Sequence, residues 1–134
     1  PGTGDAQLTL AQSSKLSGSI IVSTPQDVAL IDARKGINMF NRVEVPVIGI
    51  VENMSYFVCD NCNERHEIFS NGGAKKEAEK FQTNYLGELP LDINLRIQSD
   101  EGRPICISYP ESSMAKKYLE IADKVNKILS SKHS

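Results

Sequence analysis

Two cysteines three positions apart are the residues of this chain whose types and spacing most clearly offer chemistry. Cys59 and Cys62 are separated by Asp60 and Asn61 in a polar stretch, so both thiols are expected in an exposed loop, whereas free cysteines usually favour burial. Two thiolates at this spacing can face one metal ion or one edge of a cluster. Because zinc and iron–sulfur clusters generally take four protein ligands, the pair is half of such a site.

The residues alone leave four interpretations of this half-site open. A second copy of the chain could supply its own cysteine pair across a two-fold axis. His66 and Cys106 could complete a zinc site within the chain, although Cys106 lies between Ile105 and Ile107 and is expected in the core. The pair could also be a dithiol–disulfide switch without metal, but it does not open a helix whose dipole would lower a thiol pKa. Finally, both cysteines could remain unligated.

The composition is that of a globular domain and excludes several function classes. The 134 residues are 40% hydrophobic and 24% charged, with a formal net charge of −2. That charge gives no support for a nucleic-acid partner, and no apolar run approaches the ~20 residues that span a bilayer. Three cysteines without a signal peptide favour a reducing compartment. The chain begins at Pro1 without a methionine, inside a turn-like stretch, so we expect a fragment of a longer protein.

The hydrophobic patterning predicts the α/β class, with a mostly parallel sheet flanked by helices. Residues 19–23 and 47–51 are short apolar runs typical of buried parallel strands, and residues 85–89 form a third strand. A helix of about 16 residues between the first two strands completes a βαβ unit, with Val28, Ile31 and Met39 expected to face inward. Further helices are predicted over residues 74–81, 93–99 and 113–129, and residues 6–12 could form either a short helix or an ordered connector.

Polar and turn-forming residues follow two of these strands, where ligands of open α/β sheets bind. Asn53 comes after the strand at 47–51, and its amide could pair with the edge of a purine, although capping of the loop is its commoner role. Pro90, Leu91 and Asp92 follow the third strand. The carboxyl ends of parallel strands share one edge of the sheet, so a single ligand could touch both groups.

Two glycine-containing stretches could approach a phosphate. Gly2, Thr3, Gly4 and Asp5 could form a phosphate-facing switch loop, although a plain surface turn explains them better when they are taken alone. Residues 72–76 read Gly-Gly-Ala-Lys-Lys, but a P-loop requires G-x-x-x-x-G-K-[ST] directly after a strand. Neither this stretch nor any other part of the 134 residues matches that pattern, so no phosphate-binding lysine loop is predicted.

Several motifs occur in an order that resembles one family. They are Pro-Gly-Thr-Gly-Asp at 1–5 with Leu8 and Gln12, Ser-Thr-Pro-Gln-Asp-Val-Ala at 23–29, Val-Glu-Asn-Met-Ser at 51–55, Cys59-x-x-Cys62, Gly-x-x-Pro-Leu at 87–91 and Asp-x-Gly-x-Pro at 100–104. Together they resemble the C-terminal half of the Mrp/ApbC-type P-loop ATPases, which are MinD-related scaffold proteins for iron–sulfur cluster assembly. Mitochondrial relatives deliver clusters to respiratory complex I. The resemblance covers nearly the whole chain.

The resemblance implies a partial P-loop NTPase fold of the SIMIBI/MinD-like type, with residues 1–134 as the C-terminal part of one nucleotide-binding domain. It implies that Cys59 and Cys62 bind a labile [4Fe-4S] cluster that bridges two protomers, so the expected partners are a second copy of the chain and apo iron–sulfur proteins. The compartment would be the cytoplasm of a bacterium or, alternatively, the mitochondrial matrix. No nucleic-acid or membrane partner is expected.

The same resemblance implies binding of ATP and Mg²⁺ by the intact protein. The adenine contacts would be Asn53, Pro90, Leu91 and Asp92, and the switch II loop would contain Gly2, Thr3, Gly4 and Asp5. The family's Walker A lysine loop, switch I and Walker B aspartate lie upstream of the position equivalent to Pro1. Because phosphoryl transfer depends on that electrostatic clamp, we expect the chain alone neither to bind ATP tightly nor to hydrolyse it.

Two other function classes remain open at this point. One is a MinD-like regulatory ATPase that positions partners, in which the cysteine pair binds structural zinc or nothing. The other is a thiol-redox module that uses the pair as a dithiol. Anaerobic reconstitution with iron and sulfide, together with metal analysis, distinguishes both from a cluster scaffold.

Overall fold

The computed structural model describes residues 4–132, which form a three-stranded parallel sheet, a small hairpin and six helices. The parallel strands are β1 (Ser19–Ser23), β2 (Val47–Glu52) and β5 (Asn84–Glu88), in the order β1-β2-β5; the hairpin strands are β3 (Phe57–Val58) and β4 (Arg65–His66). The helices are α1 (Asp5–Ser13), α2 (Asp27–Arg42), α3 (Gly73–Lys80), α4 (Ile93–Asp100), α5 (Ile105–Ser108) and α6 (Ser113–Lys132). The predicted α/β class with a mostly parallel sheet is confirmed.

The central strand β2 is buried almost throughout, as its β-branched and apolar sequence predicts. Ile50 is completely inaccessible and Val51 is 4% exposed, and these neighbours point to opposite faces of the sheet. A Cβ added at Gly49 would lie 2.6 Å from the carbonyl oxygen of Asn84, so glycine permits the close approach of β2 to β5. The middle of the sheet therefore tolerates very little change in side-chain volume.

Helices cover both faces of the sheet and enclose two hydrophobic clusters. On one face, α2 and α3 form the first cluster with the sheet; its buried members are Ile21, Leu30, Ala33, Ile37, Ile50, Ala74 and Ala78. On the other face, α5 and α6 form the second cluster; its buried members are Val51, Leu86, Leu89, Ile105 and Met114. Strands β2 and β5 are thus held between two helical layers, and the carboxyl edge of the sheet is left for other contacts.

The inward face of α2 differs from the expected one. Val28 is 70% exposed and Ile31 is 47% exposed, whereas the buried residues of the helix are Leu30, Ala33, Gly36 and Ile37. A Cβ added at Gly36 would lie 3.6 Å from Cδ1 of Ile21, so the small residues bring the helix close to β1. The assignment of Val28 and Ile31 to the core is wrong.

Strand β1 lies at one edge of the parallel sheet within residues 4–132. Its burial alternates: Ser19, Ile21 and Ser23 are buried, whereas Ile20 and Val22 are exposed. The strand is therefore half-buried, although its sequence predicts burial on both faces. Among the described residues, no helix is long and apolar enough to cross a bilayer.

The hairpin of β3 and β4 is inserted in the connection from β2 to α3. Its strands pair antiparallel, with Phe57 opposite His66 and Val58 opposite Arg65. The sequence predicts only a loop here, because two-residue strands are too short to show an alternating pattern. The insertion starts at the carboxyl end of β2, which is where ligands of parallel sheets bind.

A candidate thiol site beside an apolar pocket

The two cysteines lie together at the turn of the hairpin. The N–H of Cys59 donates to the carbonyl oxygen of Glu64 at 3.0 Å, and the N–H of Asn63 donates to the carbonyl oxygen of Cys59 at 2.7 Å. Asn63 has φ of +59°, a left-handed conformation that Asn adopts more readily than most residues. Both thiols are free, Cys62 is exposed and Cys59 is half-buried. The turn thus presents two sulfur atoms at the surface.

Backbone N–H groups around the turn favour the thiolate form of Cys59. The N–H groups of Cys62 and Asn61, in that order, and then the Cys62 thiol lower the pKa of Cys59, while partial burial and the charge of Asp60 oppose them. Thiolate is the form of cysteine that binds metals and reacts as a nucleophile. The turn is therefore arranged to stabilise a negatively charged sulfur.

Two further metal-ligating side chains lie next to Cys62. Cys62, Glu64 and His66 each offer one donor atom, and these three atoms lie within 4.8 Å of one another. All three residues are exposed. Cys106 lies apart from this group, in the second hydrophobic cluster, where its Sγ is 3.9 Å from the carbonyl oxygen of Ala115. Of the two residues considered for a zinc site within the chain, the structure brings His66 to the hairpin and leaves Cys106 elsewhere.

Arg65 fastens the hairpin to the body of the domain. Its guanidinium carbon lies 3.9 Å from the centroid of the buried Tyr56 ring. The same guanidinium contacts Glu88 at the end of β5 at 3.2 Å and Glu67 at 3.5 Å. Successive side chains of a strand alternate in direction, so Arg65 and His66 project from opposite faces of the hairpin.

An apolar pocket of about 370 Å³ lies at the carboxyl edge of the sheet. It brings together all four residues expected to contact an adenine, and its lining is Asn53, Met54, Phe57, Pro90, Leu91, Asp92, Ile93, Leu95, Arg96 and Ser99. Most of this lining is hydrocarbon, with an amide, a carboxylate and a guanidinium among it. Flat aromatic ligands with a few polar atoms suit such a pocket.

Two of the polar residues in the pocket also organise its backbone. Oδ1 of Asn53 accepts a hydrogen bond from the N–H of Met54 at 2.9 Å. The carboxylate of Asp92 accepts from the N–H of Leu95 at 2.8 Å and so caps α4. The loop-capping interpretation of Asn53 is therefore correct, and the same side chain also lines the pocket.

The pocket and the cysteine hairpin share a wall. Phe57 forms a parallel β-bridge with Leu91, and both residues line the pocket. The N–H of Leu91 also donates to the carbonyl oxygen of Tyr56 at 2.7 Å. Phe57 is two positions before Cys59, so the pocket wall and the first thiol belong to one short segment of the chain.

A sequence profile described as "ParA: NUBPL iron-transfer P-loop NTPase" matches residues 1–126 of this chain. The chain belongs to this NUBPL family. An iron-sulfur cluster carrier protein of Salmonella typhimurium is 57% identical over 125 residues, which are 93% of this chain and 34% of that protein. The chain thus spans about a third of the length of that curated relative.

Two solved structures resemble this member of the NUBPL family. One is the nucleotide-binding protein of Archaeoglobus fulgidus in complex with ADP and with cobalt, at a TM-score of 0.68 and 45% identity over 77% of this chain and 42% of that one. The other is the cell division ATPase MinD of Pyrococcus furiosus, at a TM-score of 0.65 and 20% identity over 84% and 43% of the two chains. The partial P-loop NTPase fold of the MinD-like type is therefore confirmed.

The glycine-lysine stretch of this NUBPL-family chain does not form a phosphate loop. Gly72 has φ of +77° and precedes α3, whose N-terminus is occupied by the buried carboxylate of Glu52. Oε1 of Glu52 lies 3.4 Å from the nitrogen of Gly72, and Oε2 lies 3.0 Å from that of Ala74. The capping of α3 by Glu52 was not predicted from the sequence, although an acidic residue at the end of an apolar strand could have indicated it.

The hydroxyl of Ser55 connects Glu52 to the anchor of the hairpin. Ser55 Oγ lies 2.7 Å from Oε1 of Glu52 and 2.9 Å from Oε2 of Glu88. Glu88 is the carboxylate that contacts Arg65. Burial, with the nearby charges of both glutamates, raises the pKa of Tyr85 well above its ordinary value. A polar network therefore links the ends of β2 and β5 to the hairpin.

The remaining predicted residues lie away from the pocket. Gly4 is the N-cap of α1 without a side-chain hydrogen bond, and Asp5 is in its first turn. Neither residue lines the pocket around Asn53. Gly2 and Thr3 lie outside the described residues, so the predicted switch loop is represented only by its last two positions.

Proposed function

We propose that this chain holds a [4Fe-4S] cluster on Cys59 and Cys62 and transfers it to apo iron–sulfur proteins as part of an ATP-dependent carrier. The cluster is the cargo of the protein rather than a resident cofactor. The observation on which the proposal rests is the pair of adjacent thiols at the exposed turn of the hairpin, with backbone N–H groups that favour thiolate.

The donor set fits one half of a cluster. A [4Fe-4S] cluster takes four thiolates, and one hairpin supplies two. The exposure of Cys62 allows a second hairpin to approach, so we propose a homodimer in which the cluster bridges two protomers. The Salmonella relative is an iron-sulfur cluster carrier protein, and this similarity supports the proposed cargo.

The apolar pocket is the proposed adenine site. Asn53, Pro90, Leu91 and Asp92 would contact the base, and ATP with Mg²⁺ would bind in the intact protein. The ADP in the Archaeoglobus structure supports a nucleotide here. In this proposal, the Phe57–Leu91 bridge transmits the nucleotide state to the hairpin, and so to the dimer geometry that retains or releases the cluster.

We further propose that residues 1–134 are the C-terminal part of one nucleotide-binding domain. The exposure of Ile20 and Val22 on the edge strand β1 supports this, because further strands would cover them. Gly4 and Asp5, with Gly2 and Thr3, would then belong to the switch II loop. The chain alone is expected to be inactive in ATP hydrolysis. The proposed compartment is the bacterial cytoplasm or, alternatively, the mitochondrial matrix.

Anaerobic reconstitution with iron and sulfide tests the proposal. The expected product absorbs broadly in the visible region, contains about two iron atoms per chain, and migrates as a dimer. Cys59→Ser and Cys62→Ser should each abolish it, whereas Cys106→Ser, a matched control in the second hydrophobic cluster, should not. A chromophore that survives both hairpin substitutions would contradict the proposal. Zinc at one ion per chain with no cluster would instead favour the MinD-like positioning role.

A further inference from the structure

The cysteine hairpin contains more metal-ligating groups than a bridging cluster uses. Cys62, Glu64 and His66 occupy alternate positions, and their donor atoms lie within 4.8 Å of one another. Oε2 of Glu64 is 3.8 Å from Nε2 of His66. One hairpin thus presents a sulfur, a nitrogen and an oxygen to the same small volume, and the second thiol, that of Cys59, is three positions before Cys62 in the same turn.

We propose that a single hairpin binds one divalent transition-metal ion of the zinc class, with Cys59, Cys62 and His66 as ligands and Glu64 as the fourth. This site lies within one protomer. It shares only the two cysteines with the proposed cluster site, and it adds two residues that the bridging cluster leaves unused. The inference therefore concerns a second occupant of the same hairpin and does not require that the cluster proposal be correct.

The donor atoms are close to the spacing that a tetrahedral ion requires. With metal–sulfur distances near 2.3 Å and metal–nitrogen or metal–oxygen distances near 2.0–2.2 Å, neighbouring ligand atoms lie about 3.3–3.8 Å apart. The donor atoms of Cys62, Glu64 and His66 need to contract by at most about 1 Å, and the Cys59 thiol must move toward them to complete the set. Glu64 and His66 are exposed, so their side chains can rotate toward the ion without displacing packed neighbours.

The residues proposed to bind the ion differ from the residue that anchors the hairpin. Arg65 lies between Glu64 and His66 in the sequence, yet its guanidinium contacts Tyr56 and Glu88 and neither of these two neighbours. Binding of an ion by Cys62, Glu64 and His66 therefore uses none of the groups that Arg65 contacts. The mixed sulfur, nitrogen and oxygen set is typical of zinc, whereas purely oxygen sites favour magnesium or calcium.

The ion and the cluster compete, because both need the same two thiolates. Binding of the ion displaces the two thiol protons to solvent and involves no oxidation or reduction. The ion requires one chain and the cluster requires two. A hairpin loaded with the ion is therefore blocked for cluster-bridged dimerisation, and the two states differ in stoichiometry and in mass.

Titration of the reduced, metal-free chain with Co²⁺, followed by displacement with Zn²⁺, tests this site. We expect one ion per chain, a monomeric mass, and absorption bands from thiolate-to-cobalt charge transfer and tetrahedral cobalt. His66→Ala should weaken Co²⁺ binding at least tenfold. His133→Ala replaces the other of the two histidines and should bind like the wild type, which makes it the matched control. Circular dichroism of both variants verifies folding.

Two results would overturn the inference: one ion shared between two chains, or affinities of His66→Ala and His133→Ala within twofold of each other. Cluster reconstitution on the wild-type chain separates this inference from the proposed function. If the wild type forms a cluster but binds no Co²⁺ through His66, the single-ion site is wrong and the carrier proposal stands. If it binds Co²⁺ through His66 but forms no cluster, the carrier proposal is wrong and the single-ion site stands.

Discussion

The backbone nitrogen of Ala74 lies 3.0 Å from Oε2 of Glu52, so a carboxylate at the end of β2 caps the first turn of α3. Glu52 is completely inaccessible, and its Oε1 also lies 2.7 Å from the Ser55 hydroxyl. A helix N-terminus attracts anions because its N–H groups are unpaired and its dipole is positive there. In this chain the anion is an internal side chain, which leaves that helix end unavailable to a phosphate.

Removal of this cap is expected to destabilise the fold. Glu52→Ala should lower the free energy of unfolding by about 2–4 kcal/mol, because it leaves buried N–H groups without an acceptor. Urea unfolding measures this as a lower midpoint at an unchanged slope. Glu79→Ala, at an exposed position of the same helix, is the control and should change stability by at most about 0.5 kcal/mol. Equal midpoints for the two variants would show that the cap contributes nothing.

If the apolar pocket is the adenine site, replacing Asn53 should weaken nucleotide binding, whereas replacing an asparagine outside the pocket should not. Asn53→Ala should weaken binding of adenosine and ADP about two- to tenfold, the range for loss of one hydrogen bond. Titration followed by NMR chemical shifts is suited to weak binding, and the shifts should appear at the amides around Leu91 and Leu95. Asn38→Ala, on an exposed part of α2, should bind like the wild type. Guanosine that binds as well as adenosine, or shifts that appear elsewhere, would place the base outside this pocket.

The parallel sheet was predictable because its strands are short, largely apolar runs bounded by polar and turn residues, and because β1 and β2 are rich in β-branched residues. The inner face of α2 was not, because hydrophobic periodicity favours large residues such as Val28 and Ile31. The actual contact uses Ala33 and Gly36, whose small size brings the helix within reach of Ile21. Small residues allow two backbones to approach closely. They add no large apolar residue to the hydrophobic periodicity from which the inward face of a helix is predicted.

The candidate site was predictable to the extent that its residues belong to recognisable motifs. The cysteine pair and the residues around Asn53 and Asp92 lie where their motifs and strand ends predict. The grouping of Glu64 and His66 with Cys62 was not predictable, because it depends on the short hairpin that orients alternate residues to one side. Strands of two residues have no periodic signal in sequence.

The ion pair of Arg34 and Glu77 predicts a dependence of stability on acid. The hydrogen bond and then the charge of Arg34 hold the pKa of Glu77 below its ordinary value of 4.5, against the effect of burial. Because the folded-state pKa is depressed, the stabilisation is complete above pH 4.5 and is lost as the pH falls through the folded-state value. The contribution of this ion pair to the free energy of unfolding therefore changes only in the acidic range.

Unfolding of the wild type and of Glu77→Gln from pH 6 to pH 3 measures this contribution. The wild type should be more stable at pH 6, and the difference should shrink as Glu77 becomes protonated and resembles glutamine. Glu79→Gln, two positions further along the same helix and exposed, controls for the loss of a negative charge. A difference between wild type and Glu77→Gln that stays constant down to pH 3 would mean that Glu77 does not titrate in this range.

The contacts of Arg65 predict that it restrains the cysteine turn. Arg65→Ala removes the guanidinium over Tyr56 and the contact with Glu88. Amide hydrogen exchange of Cys59 and Asn63, both hydrogen-bonded within the turn, should accelerate about two- to fivefold, as expected for a cation–π attraction of about 0.5–1 kcal/mol.

Arg96→Ala is the matched control, since Arg96 forms an exposed pair with Asp100 on α4 and should leave exchange of the turn unchanged. Accelerated exchange across the whole sheet in Arg65→Ala would indicate global destabilisation, and unchanged exchange at Cys59 would mean that Arg65 does not restrain the turn. Acceleration confined to the hairpin would identify Arg65 as the residue that positions the two thiols relative to the pocket.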